Sequence, residues 1–248
     1  MASRVRSSPP ATDIAAFGAS AYYWAATRQP LYCLVFLLPL VITFEFAALV
    51  LRVSMLSSGD LVAVQLLRAT LGLFGANAVW LPGLALVLTL TIWHVLSGRS
   101  WRIRAWVPAA MLAETLALTL PLLALSLLPL QAGGPGSPAL AERLVLALGA
   151  GIYEELVFRL GLISLLMLLL ADLARLPYAV AAGAATLAAA VLFAWCHYEP
   201  VGLDLFAWDT FLVRCAAGAY LSLVFIGRGL GIAVGAHAAY NLLLCVQG

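Results

Sequence analysis

Gly151-Ile152-Tyr153-Glu154-Glu155-Leu156-Val157-Phe158-Arg159-Leu160 sets two adjacent carboxylates and a guanidinium within a run otherwise apolar enough to cross a lipid bilayer. On insertion scales each acid or arginine near the bilayer centre costs about 2.5–3.5 kcal/mol, so three within one short stretch require pairing, a wet cavity or chemistry. The rest of the chain has the same membrane character. Of its 248 residues, 65% are hydrophobic and 10% charged, with a mean hydropathy of +1.06, against about 25% charged in soluble domains. This composition predicts an all-α fold, a polytopic transmembrane helical bundle of about seven to eight spans, forming one integral membrane domain.

Working outward, apolar spans fall at about 31–51, 78–98, 106–130, 140–171, 178–198, 205–227 and 229–247. Residues 60–77 are less apolar and read as an interfacial or re-entrant helix, with an eighth span as the alternative. Gly133-Gly134-Pro135-Gly136-Ser137-Pro138 is the clearest loop. It separates amino-terminal transmembrane helices (31–138), preceded by a cytoplasmic segment (1–30), from a carboxy-terminal helical core (139–248) that holds the chemistry. Residues 1–30 carry Arg4, Arg6, Asp13 and Arg28 and no apolar stretch with a cleavage site, so insertion is expected to use the first span.

Orientation follows from the arginines. Arg4, Arg6 and Arg28 precede the first span; Arg99, Arg102 and Arg104 follow the second, Arg175 the fourth and Arg228 the sixth. All become cytoplasmic when the amino terminus is inside, which leaves Arg52 as the expected exception and puts the loops at 131–138 and 198–204 outside. All thirteen basic residues are Arg, which fits a GC-rich bacterial genome and a multi-pass protein of the bacterial inner membrane. The net charge of +2 is too small and scattered for nucleic acid, leaving the lipid bilayer and a membrane-anchored protein or peptide as expected partners. Cys33, Cys196, Cys215 and Cys245 stand singly and read as small buried hydrophobes.

Glu155 and Arg159, four apart, stack on one helix face and can pair, while Glu154 lies about 100° round the helix. A carboxylate in a partly dry pocket is suited to taking a proton from water and returning it to a leaving amine. A packing network of ions is the plainer alternative. Two of the three histidines fall in the same half: His197 in Phe193-Ala194-Trp195-Cys196-His197, and His237 in His237-Ala238-Ala239-Tyr240-Asn241. His237 and Asn241 present an imidazole and a carboxamide to one side, an arrangement that can bind water and a developing oxyanion. Glu45 and Glu114 are expected to face the same cavity or to pair with Arg68 or Arg214. His94 is expected at the interface, and Pro39, Pro82 and Pro121 are expected to kink their spans.

These residues resemble a known family. EExxxR (Glu154, Glu155, Arg159), FxxxH (Phe193, His197) and HxxxN (His237, Asn241) occur in the order of the CPBP intramembrane endopeptidases. That family includes CAAX prenyl endopeptidases, bacteriocin-processing and self-immunity proteins. The resemblance covers about residues 139–247. It implies an endopeptidase cutting near the carboxy terminus of a membrane-associated protein, lipidated or not, with Glu154 activating water and His197 positioning it. His237 and Asn241 would stabilise the oxyanion, and Glu155, Arg159 and Phe193 would organise the site. No cofactor is implied by a glutamate mechanism; the alternative is zinc held by Glu154, His197 and His237. The family's usual Gly after Arg is here Leu160 followed by Gly161, which moves the expected close helix contact by one residue. A helix break near 149–151 would turn the site outward, as in the myxosortase-type proteins that are similar in motif. Non-catalytic peptide binding or immunity is the alternative function, and a proton relay or transporter is disfavoured because the ionisable groups cluster at one level.

Overall fold

A computed structural model describes residues 18–51, 62–72, 81–127, 139–199, 201–202 and 204–247. Arg4, Arg6, Asp13, Arg52, most of the 131–138 loop's flanks and that loop itself, Asp60 and residues 73–77, and the side chain of Arg68 lie outside the described residues. The described helices are α1 (Ala19–Ala26), α2 (Pro30–Val50), α3 (Val62–Gly72), α4 (Leu81–Leu96), α5 (Trp106–Ser126), α6 (Leu140–Leu173), α7 (Tyr178–Trp195), α8 (Trp208–Arg228) and α9 (Leu230–Gln247). Five of them (α2, α5, α6, α7 and α8) are long and apolar enough to cross a membrane, and α4 and α9 are shorter apolar helices. No β-strand occurs among the described residues; a single bridge joins Tyr198 to Asp204. The chain is a multi-pass helical bundle, as its composition predicts.

The lipid face is legible residue by residue. Leu38, Ile42, Phe46 and Leu49 form an exposed stripe on α2, and Leu112, Leu116 and Leu120 do so on α5. Helical spacing puts each set on one side, and such stripes are stable only against hydrocarbon. The inner faces use smaller residues: Ala181, Ala185 and Ala189 of α7 are buried at four-residue spacing. Small side chains let helix backbones approach closely where apolar burial gives no advantage over lipid. Pro39 and Pro121 lie inside α2 and α5, whereas Pro82 occupies the first turn of α4, where no helical hydrogen bond is lost.

Helix α9 joins the two halves, packing on α2, α5, α6 and α8. Its start is a tight reversal from α8 through Gly229, whose φ of 94° suits glycine, and where a Cβ would sit 3.0 Å from the Thr27 carbonyl. This draws the end of α8 against the start of α2, with Arg28 donating to the Gly227 carbonyl. A cavity of about 510 Å³ at this end is lined by Arg28, Trp93, Asp172, Tyr178 and Gly229, from the α1–α2 turn, α4, α6, α7 and the α8–α9 junction. The helix ends carrying Arg28, Arg175 and Arg228 therefore converge, as alternating spans require. At the opposite end the arginine pattern needs a correction. Arg143, in the first turn of α6, donates to the Cys245 carbonyl at 3.1 Å, so a basic residue other than Arg52 lies on the side expected to be external.

His94, in the last turn of α4, is buried, with its ring edge-on to Trp101 at 4.4 Å. The pairing expected for Glu114 fails on packing. Glu114 pairs with Arg228 and accepts from the Tyr23 hydroxyl at 2.5 Å; Glu45 accepts from the Tyr153 hydroxyl at 2.7 Å. Arg214 bonds Asp204 instead. These partners come from α1, α6, α8 and the segment before α8, which linear spacing cannot join.

Candidate functional site

The site is built on an antiparallel contact between α6 and α9. Successive contacts run Arg143 to Cys245, Ala147 to Asn241, Gly151 to Ala238 and Glu155 to His237. Gly151 sets the spacing, because a Cβ there would lie 2.6 Å from the Ala238 backbone. Gly161 faces only its own helix carbonyl, so the close contact expected beside Arg159 is absent there. Nor does the helix break at 149–151: α6 is continuous from Leu140 to Leu173. Its geometry changes at the site, where Glu155–Ile163 adopts the wider π turn, a form recurrent at functional positions.

Glu155 and Arg159 are fully buried and 3.0 Å apart across that turn. Arg159 also donates to the Gly218 carbonyl of α8 at 3.1 Å, and its guanidinium lies 4.7 Å from the Phe193 ring centre. The same Glu155 Oε1 lies 2.8 Å from Nδ1 of His237. A carboxylate on Nδ1 fixes the imidazole tautomer and turns Nε2 outward. Nε2 faces Glu154 Oε2 at 3.6 Å, too long for a direct hydrogen bond and short enough for one water to touch both. Glu154 and His237 keep 9% and 5% of their surface exposed, whereas Glu155 and Arg159 keep none. Access is thus confined to the Glu154–His237 edge.

Phe193 of α7 is the wall. Its ring meets Phe158 at 5.5 Å, His237 at 6.0 Å and His197 at 4.9 Å, each edge-on. His197 lies two residues past the end of α7, with Nδ1 held 2.8 Å from the Phe193 carbonyl. The turn that carries it is closed by Asp204 N–H donating to the His197 carbonyl at 3.0 Å, and Gly202 packs so tightly under that peptide that a Cβ would overlap it. Asn241 stands one turn beyond His237, its amide donating to the Ala147 carbonyl at 3.3 Å.

The structure therefore gathers Glu154, Glu155, Arg159, Phe193 and His237 directly. His197 joins them through Phe193, and Asn241 anchors on α6 beside them. For the zinc alternative, no group of three His, Cys, Asp or Glu side chains converges as a ligand set among the described residues. Sequence reasoning missed the Glu155–His237 bond and Gly151. It also missed Arg214 and Asp204, which flank the His197 turn; a signal for Gly151 was available in the small residues Ala147, Gly151 and Ala238.

The site is a charged, buried cluster at one level of a multi-pass helical bundle. The comparisons narrow the class. Residues 136–243 match the family described as Type II CAAX prenyl endopeptidase Rce1-like, and this match in the carboxy-terminal part supports the resemblance to the CPBP family. That match supports, at the coarse level, a CAAX-type intramembrane protease acting on a membrane-associated substrate. No curated protein and no solved structure matches the chain.

Proposed function

We propose that the protein is a glutamate endopeptidase in which Glu154 activates water held between its carboxylate and His237. Glu154 takes one proton as the water oxygen bonds to the scissile carbonyl carbon. The tetrahedral oxyanion is met by Asn241 and His197, and the proton passes to the amide nitrogen as the C–N bond breaks. Glu155, itself neutralised by Arg159, keeps His237 in the tautomer this needs. The observation that carries the reading is the chain Arg159–Glu155–His237–Glu154, with contacts of 3.0, 2.8 and 3.6 Å, closed at one end and accessible at the other.

The substrate we propose is a membrane-anchored protein cut near its carboxy terminus, as a bacterial sorting tail of the myxosortase-like kind would be. Two observations favour an opening away from the cytoplasm of a bacterial inner membrane. His197 and its turn lie at the far end of α7 from Arg175, and Asn241 extends from His237 toward the same end. Non-catalytic peptide binding is the competing reading. Glu154→Gln separates the two: turnover should fall about 10²–10⁴-fold with the folded fraction unchanged. The readout is mass spectrometry of membrane proteins that retain their tails in cells carrying the variant. Processing at the wild-type rate would refute the glutamate mechanism.

A further inference from the structure

We propose that the cavity at the arginine-rich end of the bundle binds a phospholipid with a zwitterionic headgroup, its phosphate on Arg28, its ammonium on Asp172 and an acyl chain along the apolar wall. The inference does not rest on the protease reading. Asp172 follows Glu154 by eighteen residues on the same helix, about 27 Å at the rise of an α-helix, so this cavity lies toward the opposite leaflet from the His197 turn.

The cavity, about 510 Å³, opens where the α1–α2 turn meets the ends of α6 and α8 and the start of α7. Its inner wall is apolar, with Ile163, Met167, Phe225 and Leu230. Trp93, Leu168 and Tyr178 also line it and are exposed at 45%, 56% and 66%. An exposed leucine beside an apolar wall is stable against hydrocarbon, and Trp and Tyr settle at the headgroup level of a membrane. The opening therefore meets a lipid leaflet, which selects an amphiphile over a free phosphate ion.

Two opposite charges line this cavity without meeting. Arg28 directs Nε and Nη2 at the single Gly227 carbonyl, which fixes its guanidinium and leaves Nη1 without a partner among the described residues. Asp172 is exposed in the last turn of α6, where the helix dipole disfavours an anion. Among the described residues no ion pair joins it to Arg28, or to Arg175 three residues on. An unpaired carboxylate and a half-used guanidinium on one apolar cleft match a molecule that carries both charges at one end and hydrocarbon at the other. Basic pockets between spans on the cytoplasmic side hold lipid headgroups through their phosphates. The carboxylate adds selection for a headgroup nitrogen that can donate a hydrogen bond, as ethanolamine does and choline does not.

Native mass spectrometry of the full-length protein, titrated with lipids of identical acyl chains, gives a dissociation constant for each. The wild type should bind phosphatidylethanolamine roughly 10-fold more tightly than phosphatidylcholine, phosphatidylglycerol or diacylglycerol, the lower range of a charge-assisted hydrogen bond. Asp172→Asn, at an exposed position without a protein partner, should bring the ethanolamine-to-choline ratio to about one. Ala171→Phe, which places a ring in the cavity, should weaken all four lipids by on the order of 10-fold. Arg28 is left intact because it also holds the end of α8. Equal wild-type affinity for ethanolamine and choline lipids removes the role of Asp172 and overturns the proposal. Diacylglycerol bound as tightly as phosphatidylethanolamine removes the role of Arg28, and a preference for phosphatidylglycerol leaves only a basic rim; each overturns it as well. An unchanged ratio in Asp172→Asn, or unchanged affinities in Ala171→Phe, would put the lipid elsewhere on the surface with the same result.

Discussion

Removing Glu155 should cost far more than removing the pair it forms with Arg159. Both side chains are buried, at 0% and 1% exposure, with 3.0 Å between nitrogen and oxygen. In Glu155→Leu the Arg159 charge keeps one carbonyl and one aromatic face and loses its counter-charge, a situation that costs about 3–5 kcal/mol. For a chain of this size that lowers Tm by on the order of 10 °C. Replacing both, as Glu155→Leu with Arg159→Met, removes the stranded charge, and stability should return to within about 1 kcal/mol of wild type. Activity should not return. His237 Nδ1 would have lost the acceptor that fixes its tautomer, so turnover should stay down by on the order of 100-fold or more. Thermal unfolding in detergent, paired with a cleavage assay, measures both quantities on one preparation. A single variant as stable as wild type, or a double variant with wild-type turnover, would refute the account of Glu155 as the link between the buried charge and the histidine.

Two further outcomes test the packing. Gly151→Ala places a methyl group 2.6 Å from the Ala238 backbone, which must push α6 and α9 apart; stability should fall by about 1–3 kcal/mol and turnover with it, because a shift of that size also stretches Glu155–His237. Thermal unfolding and turnover that both match wild type would count against this contact as the spacer. Glu114→Ala strips the largely buried Arg228 of its carboxylate and Tyr23 of its acceptor, a loss of about 1.5–3 kcal/mol. Limited proteolysis should then cut the segment around α1 faster than in wild type.

The transmembrane class was legible in the chain because membrane solvation acts on each segment separately. A run of about twenty apolar residues must be a helix whatever its neighbours do, since no water is present to satisfy its backbone. The seven spans read from hydropathy correspond to the five long and two shorter apolar helices. The Glu155–Arg159 pair was legible for a similar reason, being local to one helix. The failures share a cause. Glu114 was set against Arg68 or Arg214, whereas its partner, Arg228, is chosen by helix packing. The break proposed at 149–151 treated two glycines as loop formers; in the fold Gly151 serves close helix approach and α6 runs on.

Residue identity alone thus determined that Glu154, Glu155, Arg159, His237 and Asn241 lie in apolar helices, with His197 beside another, where polar and ionisable groups need partners. Only the tertiary structure decided the partition of the two glutamates, one closed off against Arg159 and His237 Nδ1 and the other left facing Nε2 at the accessible edge. Adjacent residues differ by about 100° around a helix, so their chemistry diverges according to which helix stands on each side. That is set by the register of α6 against α9, a contact between segments some eighty residues apart that no local pattern encodes.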